Sequence, residues 1–245
     1  MTEQPLPGHM TSGVVRVGDT VRRPAGPWTD AVDALLAHLH ATGFAGAPRP
    51  LGRDERGRQV LEFVEGDARG PREDELADVG RMLSDLHRAT ADFVPPDSAR
   101  WQQVIAPDRV ELVAHNDTGA WNLVRRPTGE WALIDWDLAG PGSRLWDLAC
   151  TAQSAVPLVA GRSTADAGRG LRLLVDGYGL EEADRRALPA LLTRRVEAMI
   201  AMLRAGAASG TAPWDRIWVE DGGHWQDTAA YLAVREREWH SALLS

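Results

Sequence analysis

Between an apolar run at 110–114 and a second strand-like run lies HNDTGAWN, residues 115–122, which brings His115, Asp117 and Asn122 close together in the chain. Thirteen residues past Asn122 stands IDWD, with Asp135 and Asp137. The stretch joining them, NLVRRPTGEWALID, reads as a strand LVRR, a four-residue turn PTGE and a strand WALI of equal length. In an antiparallel hairpin with equal arms, the residue before the first strand and the residue after the second meet at the open end, and these are Asn122 and Asp135. Two oxygen donors there suit a hard cation, Mg²⁺ above all, because it takes one or two protein oxygens and fills its shell with water and phosphate. Asp117 falls in the loop beside them, where a carboxylate can receive a proton from an attacking hydroxyl. His115, at the start of the loop, reads as an organiser of backbone.

The elements that must position this group can be read outward from it. Residues 1–12 lack periodicity and read as a loose lead-in. GVVRVGDTVRRP then suggests two short strands, and PWTDAVDALLAHLHATG a helix capped by Thr29 or Asp30 and ended by Gly43. PRPLGRDERGRQVLEFVEGD adds two extended runs around the turn RDERG, closing at Gly66. Further on, REDELADVGRMLSDLHRAT has the spacing of an amphipathic helix through Leu76, Val79, Met82, Leu83 and Leu86. Two later stretches, ALPALLTRRVEAMIAMLRAG and DTAAYLAVREREWHSALL, also read as helices. The expected fold class is α+β in two lobes: a small β-rich one over 1–66 and a larger, mainly helical one over 67–245.

HNDTGAWN followed by a hairpin and IDWD resembles the catalytic loop and metal-binding aspartate of the aminoglycoside phosphotransferase and choline kinase family, relatives of the protein kinases. LSDLHRAT resembles the helix ending in Leu-His that precedes that loop, and GSRLWDLA the segment after the metal aspartate. The resemblance implies a protein-kinase-like two-lobed fold, with ATP or GTP and Mg²⁺ as cofactors. It makes Asp117 the general base or the carboxylate that orients the hydroxyl, Asn122 and Asp135 the Mg²⁺ ligands, and Asp147 a brace for the catalytic loop. Asp137 would touch a second metal or the substrate.

The family's phosphate-holding lysine is missing, since all 27 basic residues of this chain are arginine. Arg23 in TVRRP is the stand-in, because it shares its side-chain direction with Val21 while Arg22 points the other way. For the acidic partner of that position the nearest candidate is Asp33. A shortened phosphate loop would lie around Ser12 and Gly13, and the resemblance sets the adenine against backbone groups of Glu62, Phe63 and Val64.

Composition bounds the rest. A net charge of −8 argues against nucleic acid as partner and suits a cationic small molecule. No run is long and apolar enough for a membrane helix and no secretory signal opens the chain, so the expected location is cytoplasmic. Cys150 in DLACTA reads as a small buried hydrophobe. Most of the ten tryptophans read as packing; for Trp121, inside the loop, and Trp136, between two acids, contact with a substrate is the alternative to packing. WDRIWVEDGGHWQD is either an acidic, aromatic acceptor wall or a solvated loop. The expected activity is transfer of a nucleotide's γ-phosphate to a hydroxyl of a small molecule, aminoglycoside-like in the first instance. Two rivals stand beside it: a catalytically weak kinase-like binding or immunity protein, and a nucleotide-sugar glycosyltransferase using DWD as its D-x-D. Oligomeric state is not readable from the sequence.

Overall fold

The structure, a computed structural model, describes residues 2–6 and 13–245. Five short strands, β1 (Gln4–Pro5), β2 (Val15–Val17), β3 (Thr20–Arg23), β4 (Pro50–Arg53) and β5 (Gln59–Glu62), form an antiparallel sheet in the order β1-β2-β3-β5-β4. Two residues of the expected lead-in are thus a strand, held by pairing with Val15 and Arg16. In β3 the alternation of a pleated strand buries Arg23 and sends Arg22 to Thr20 Oγ1 and toward Asp54.

Helix α1 (Thr29–Ala41) crosses between β3 and β4 and buries Ala31, Val32, Leu35, Leu36 and Leu39 along one stripe. Its start differs from expectation. Neither Thr29 nor Asp30 caps it: Thr29 Oγ1 accepts the Gly26 N–H at 2.8 Å, outside the helix, and the Asp30 carboxylate is drawn to Arg53 at 2.6 Å. The end is as read, with Gly43 left-handed (φ 84°) and Phe44 N–H closing on Leu39 O, the Schellman pattern. Leu35, Leu36 and Leu39 are fully buried, so truncating any of them to alanine would cost about 2–5 kcal/mol.

After β6 (Asp67–Ala68), helix α2 (Leu76–Thr90) runs against α4 (Thr164–Tyr178). Two glycines let the backbones approach: a Cβ on Gly80 would lie 2.2 Å from Leu174 O, and one on Gly177 2.2 Å from Ala77 O. This close crossing delivers His87 of α2 to Tyr178 of α4.

β7 (Leu112–Ala114) pairs with β10 (Gly140–Gly142), Ala114 opposite Gly140, so the chain leaving β7 at His115 runs beside the segment carrying Asp135 and Asp137. Between them β8 (Leu123–Arg125) and β9 (Trp131–Leu133) make the expected hairpin, with β6 on the outer edge of β8. Its register is one residue off the equal-arm reading. Leu123 pairs with Leu133, Arg126 N–H with Glu130 O, and the turn is a three-residue loop with Gly129 at φ 99°. Asn122 therefore opposes Ile134, whose N–H it accepts at 3.0 Å, and Asp135 lies one step beyond.

Helices α3 (Arg144–Ala155), α5 (Glu182–Ser209), α6 (Trp214–Val234) and α7 (Glu236–Leu244) complete the chain, with α5 packed along α6. WDRIWVEDGGHWQD is neither a loop nor wholly a wall: it is the first part of α6. The last expected helix is broken at Arg235, where the turn lets Trp239 bury completely, 5.6 Å from the ring of Tyr231. One hydrophobic cluster runs from Val32 in α1 to Leu243 in α7. Among the described residues no helix is long and apolar enough to cross a membrane.

Candidate active site

The loop after β7 is held from behind by Asp147, the first-turn acid of α3. Its Oδ1 accepts the Asn116 N–H at 2.7 Å, its Oδ2 accepts the His115 N–H at 3.0 Å, and its carbonyl accepts the Thr118 hydroxyl at 2.7 Å. Asp147 is fully buried, and His87 Nε2 donates to its Oδ2 at 3.2 Å while His87 Nδ1 accepts the Tyr178 hydroxyl at 2.8 Å. His115 organises backbone, as its position suggested. Its Nδ1 accepts the Asp117 N–H at 3.3 Å, which leaves Nε2 to donate to Ile134 O at 3.1 Å and so ties the loop to the hairpin. Asn116 between them is left-handed (φ 63°), a conformation asparagine tolerates better than most side chains.

The bends this loop makes set Asp117 facing inward. Its carboxylate is buried and receives Asn122 Nδ2 on Oδ2 at 2.7 Å, while Trp121 Nε1 straddles Oδ1 and Oδ2 at 3.3 and 3.4 Å. Burial raises the Asp117 carboxyl from its ordinary value, and the charge of Asp135 adds to this; the His115 ring, the cation of Arg195 and the Trp121 N–H offset only part of it. A carboxylate shifted in that direction is a better proton acceptor near neutral pH.

Asp135 leaves the hairpin in the left-handed region (φ 60°, ψ 69°), and the 3₁₀ turn Trp136–Leu138 then brings Asp137 round to the same side. Both carboxylates meet Arg23: Nη2 lies 2.7 Å from Asp135 Oδ1 and 2.5 Å from Asp137 Oδ2. Burial by itself would make the Arg23 guanidinium easier to deprotonate, but the two acids outweigh it and hold its pKa above the usual arginine value. Asp117, Asp135 and Asp137 line one cavity of about 310 Å³ together with Gln102, Val104, Leu138, Ala212, Pro213 and Trp214. Asn122 turns its amide nitrogen to Asp117; its side-chain oxygen and the Asp135 carboxylate are hard donors of the kind Mg²⁺ takes.

Other expected residues stand apart. Asp33 does not meet Arg23: its carboxylate binds Arg53 and accepts Gln59 Nε2 at 2.6 Å, because Gln59 is the β5 residue opposite Arg23 and lies between them. Ser12 lies outside the described residues, and Gly13 is left-handed (φ 82°) at the end of the β1–β2 connection. At the β5 exit two backbone donors are already used, Glu62 N–H by Arg49 O and Phe63 N–H by Asp19 O, each at 2.9 Å. Val64 packs with Val124, Ala132 and Ile134. Trp136 is 1% exposed, lies 4.5 Å from the His115 ring and gives its N–H to Leu133 O, so it is packing, whereas Trp121 is 48% exposed.

Arg195 was not singled out in the sequence. From the middle of α5 it reaches the loop, 3% exposed, and donates to Asn116 O at 3.1 Å and toward Cys150 Sγ at 3.6 Å. Nothing in its surroundings, TRRVEA, marks it out from its neighbour Arg194; only the helix phase, which puts it with Leu188, Leu191, Leu192 and Val196 on the buried side, could have. Cys150 is buried as expected, and burial pushes its thiol up to about 11.

Comparison with known proteins places this geometry. The family model described as the phosphotransferase enzyme family matches residues 34–191, well over half of the chain. A trifolitoxin immunity protein from Rhizobium leguminosarum bv. trifolii is 38% identical over 196 residues, covering 74% of this chain and 75% of that protein. Among solved structures, a choline/ethanolamine kinase family protein from Mesorhizobium loti superposes with a TM-score of 0.70 at 16% identity, over 99% of this chain and 92% of that one. A spectinomycin phosphotransferase in complex with ADP and spectinomycin gives a TM-score of 0.64 at 11% identity, over 97% and 94%. At such identities these two show the fold, which is protein-kinase-like with a small β-sheet region and a larger helical one. Sequence match, fold and the loop built around Asp117 agree: the chain belongs to the phosphotransferase enzyme family.

Proposed function

We propose that the chain transfers the γ-phosphate of ATP to a hydroxyl of a cationic small molecule, with residues 1–66 as the nucleotide-binding lobe and 67–245 as the catalytic and acceptor lobe. The observation that carries this reading is the convergence of Asp117, Asp135 and Asp137 on one cavity. In the proposed step Asp117 takes the acceptor's hydroxyl proton, the hydroxyl oxygen bonds to the γ-phosphorus, and the bond from that phosphorus to the bridging oxygen breaks to release ADP. Asn122 and Trp121 fix the Asp117 carboxylate for this, and His115 and Asp147 fix its backbone. Mg²⁺, when held by Asn122 and Asp135, would supply charge neutralisation on the phosphates. Arg23 has a buried Nε without a hydrogen-bond partner among the described residues, a donor suited to a phosphate oxygen.

An aminoglycoside-like acceptor fits the three acids and Trp214 through carboxylate and cation–π contacts. The volume of about 310 Å³ is at the small end for ligand pockets, which favours a compact amine-bearing hydroxyl compound or one ring of a larger one. The test is a set of hydroxyl compounds incubated with Mg²⁺-ATP, ADP release being read for the wild type and Asp117→Asn. Acceptor-dependent ADP release that disappears in the variant supports the reading, and unchanged release in the variant refutes the role of Asp117.

A second reading has an observation of its own. Arg23 is already tied to Asp135 and Asp137, and a relative at 38% identity is named an immunity protein. A kinase-like protein that confers immunity by binding, with little turnover, would show this arrangement. Calorimetry with Mg²⁺-ATP separates the two, because a chain that binds no nucleotide cannot be a phosphotransferase.

A further inference from the structure

We infer that Arg23 is the resident counter-cation of Asp135 and Asp137, and that it competes with a divalent cation for them, so that metal enters only when Arg23 is drawn away. The inference rests on the reading above that Asn122 and Asp135 are the metal-holding pair, and it adds what the chain itself places there.

Three observations carry it. First, a single nitrogen, Nη2, contacts both carboxylates, at 2.7 Å to Asp135 Oδ1 and 2.5 Å to Asp137 Oδ2. A Mg²⁺ ion needs its oxygens at about 2.0–2.1 Å in octahedral array. An ion bound that closely to Asp135 Oδ1 would sit within a few ångströms of the guanidinium, where two cations repel one another. Second, the site is built rather than incidental: Arg23 is 6% exposed and Asp137 9%, and the contacts span 112 and 114 residues of sequence, from β3 to the turn after β9. Third, Arg23 Nε is buried without a hydrogen-bond partner among the described residues. An arginine whose donors are fully used has no reason to move, whereas one with a buried unmet donor gains by turning to an anionic oxygen. A phosphate oxygen is such an acceptor, and the order implied is phosphate first and metal second.

The residue type matters here. A guanidinium presents five donors in a rigid plane and does not lose its proton, so it can hold two carboxylates through Nη2 and keep Nε for phosphate. An ammonium at this place would be a point charge with no such division of donors. The acid that would otherwise pull this cation aside, Asp33, is engaged by Arg53 and Gln59. Arg23 is therefore left to the metal-side acids.

The test uses the full chain without nucleotide and Mn²⁺ as probe, free ion being counted by paramagnetic resonance. Arg23→Met is expected to bind one Mn²⁺ at least tenfold more tightly than the wild type, and the gain should vanish in Arg23→Met/Asp135→Asn. Equal or weaker binding by Arg23→Met overturns the inference alone. Millimolar Mn²⁺ that binds neither protein overturns the metal assignment as well, so the two failures are distinguishable. Should Arg23→Met not fold without metal, circular dichroism during Mn²⁺ addition reads the same competition. Recovery of structure at concentrations where the wild type binds no Mn²⁺ supports the inference, and absence of recovery overturns it.

Discussion

Asn122 donates its side-chain amide to both oxygens that Asp117 turns toward it, the carboxylate Oδ2 at 2.7 Å and the main-chain carbonyl at 2.9 Å. The residue proposed to hold metal is thus also the one that fixes the rotamer of the proposed base. Asn122→Ala should accordingly lower turnover even where excess Mg²⁺ compensates for weaker metal binding. The check is kcat measured across a Mg²⁺ series: a variant fully restored by metal would show that the contact to Asp117 contributes nothing.

Asp117 itself should behave as a residue kept at the expense of stability. Its carboxyl is raised by burial, so the fold is favoured by the protonated form. That contribution is complete below the unfolded carboxylate value of about 3.9 and is lost as pH rises through the higher folded value. Asp117→Asn removes the charge while keeping an oxygen for Asn122. The variant should therefore be more stable than wild type at pH 7, on the order of 1 kcal/mol, with the difference shrinking as pH falls toward the carboxylate range. Transfer activity should fall by roughly 10²–10⁴-fold. Urea denaturation at several pH values reads the first effect, and a pH-independent stability difference would contradict it.

Trp121 gives the only side-chain N–H that Asp117 receives from an exposed residue among the described ones, and its ring folds back over Gly119. A Cβ at Gly119 would lie 2.3 Å from that ring. Trp121→Phe should move the acid limb of the pH–rate profile to higher pH, since an interaction favouring the charged carboxylate is gone. Gly119→Ala should do the same by displacing the ring. Trp121→Ala should in addition raise the acceptor KM if the ring forms part of the acceptor floor. A pH profile identical to wild type in both Trp121→Phe and Gly119→Ala would show that the indole N–H has no hold on Asp117.

Much of this centre was legible because it is local. Asp117, Asn122 and Asp135 are joined by a hairpin, and hairpin pairing converts spacing into proximity; even the one-residue register error, caused by counting PTGE as the turn where 127–129 is the loop, moved Asp135 by a single step. The β3 alternation likewise put Arg23 on the correct side. Contacts between distant elements carried no such signal. Arg195 reaches Asn116 across 79 residues, and Asp33 chose Arg53 and Gln59 over Arg23 because strand order, which sequence did not reveal, set Gln59 between them. For Trp136 the position between two acids left substrate contact open beside packing, and the structure packs it onto His115 after the left-handed turn at Asp135.

Glu75 gives the last prediction, a few residues past the boundary at 66 and 67 expected between the two lobes. At the start of α2 its carboxylate takes both arms of Arg69 at 2.8 Å, the Arg72 N–H at 2.9 Å and Arg72 Nη2 at 2.8 Å, and lies 3.6 Å from Arg125 of β8. The hydrogen bonds from Arg69 come first in holding its carboxyl down to about 2, helped by Arg72 against the opposing effect of burial. A depressed acid stabilises the fold in its charged form, so the contribution is present above the unfolded glutamate value of about 4.3 and disappears as pH falls through about 2. Glu75→Gln keeps the shape and removes the charge. It should cost about 1–3 kcal/mol at pH 7, and the gap from wild type should close between those two pH values. Because Glu75 joins Arg69 and Arg72 to Arg125 of β8, the variant should also expose residues 69–72 to limited proteolysis before the rest of the chain unfolds. A loss of stability of the same size at every pH would mean that packing at this position, rather than its charge, holds the junction together.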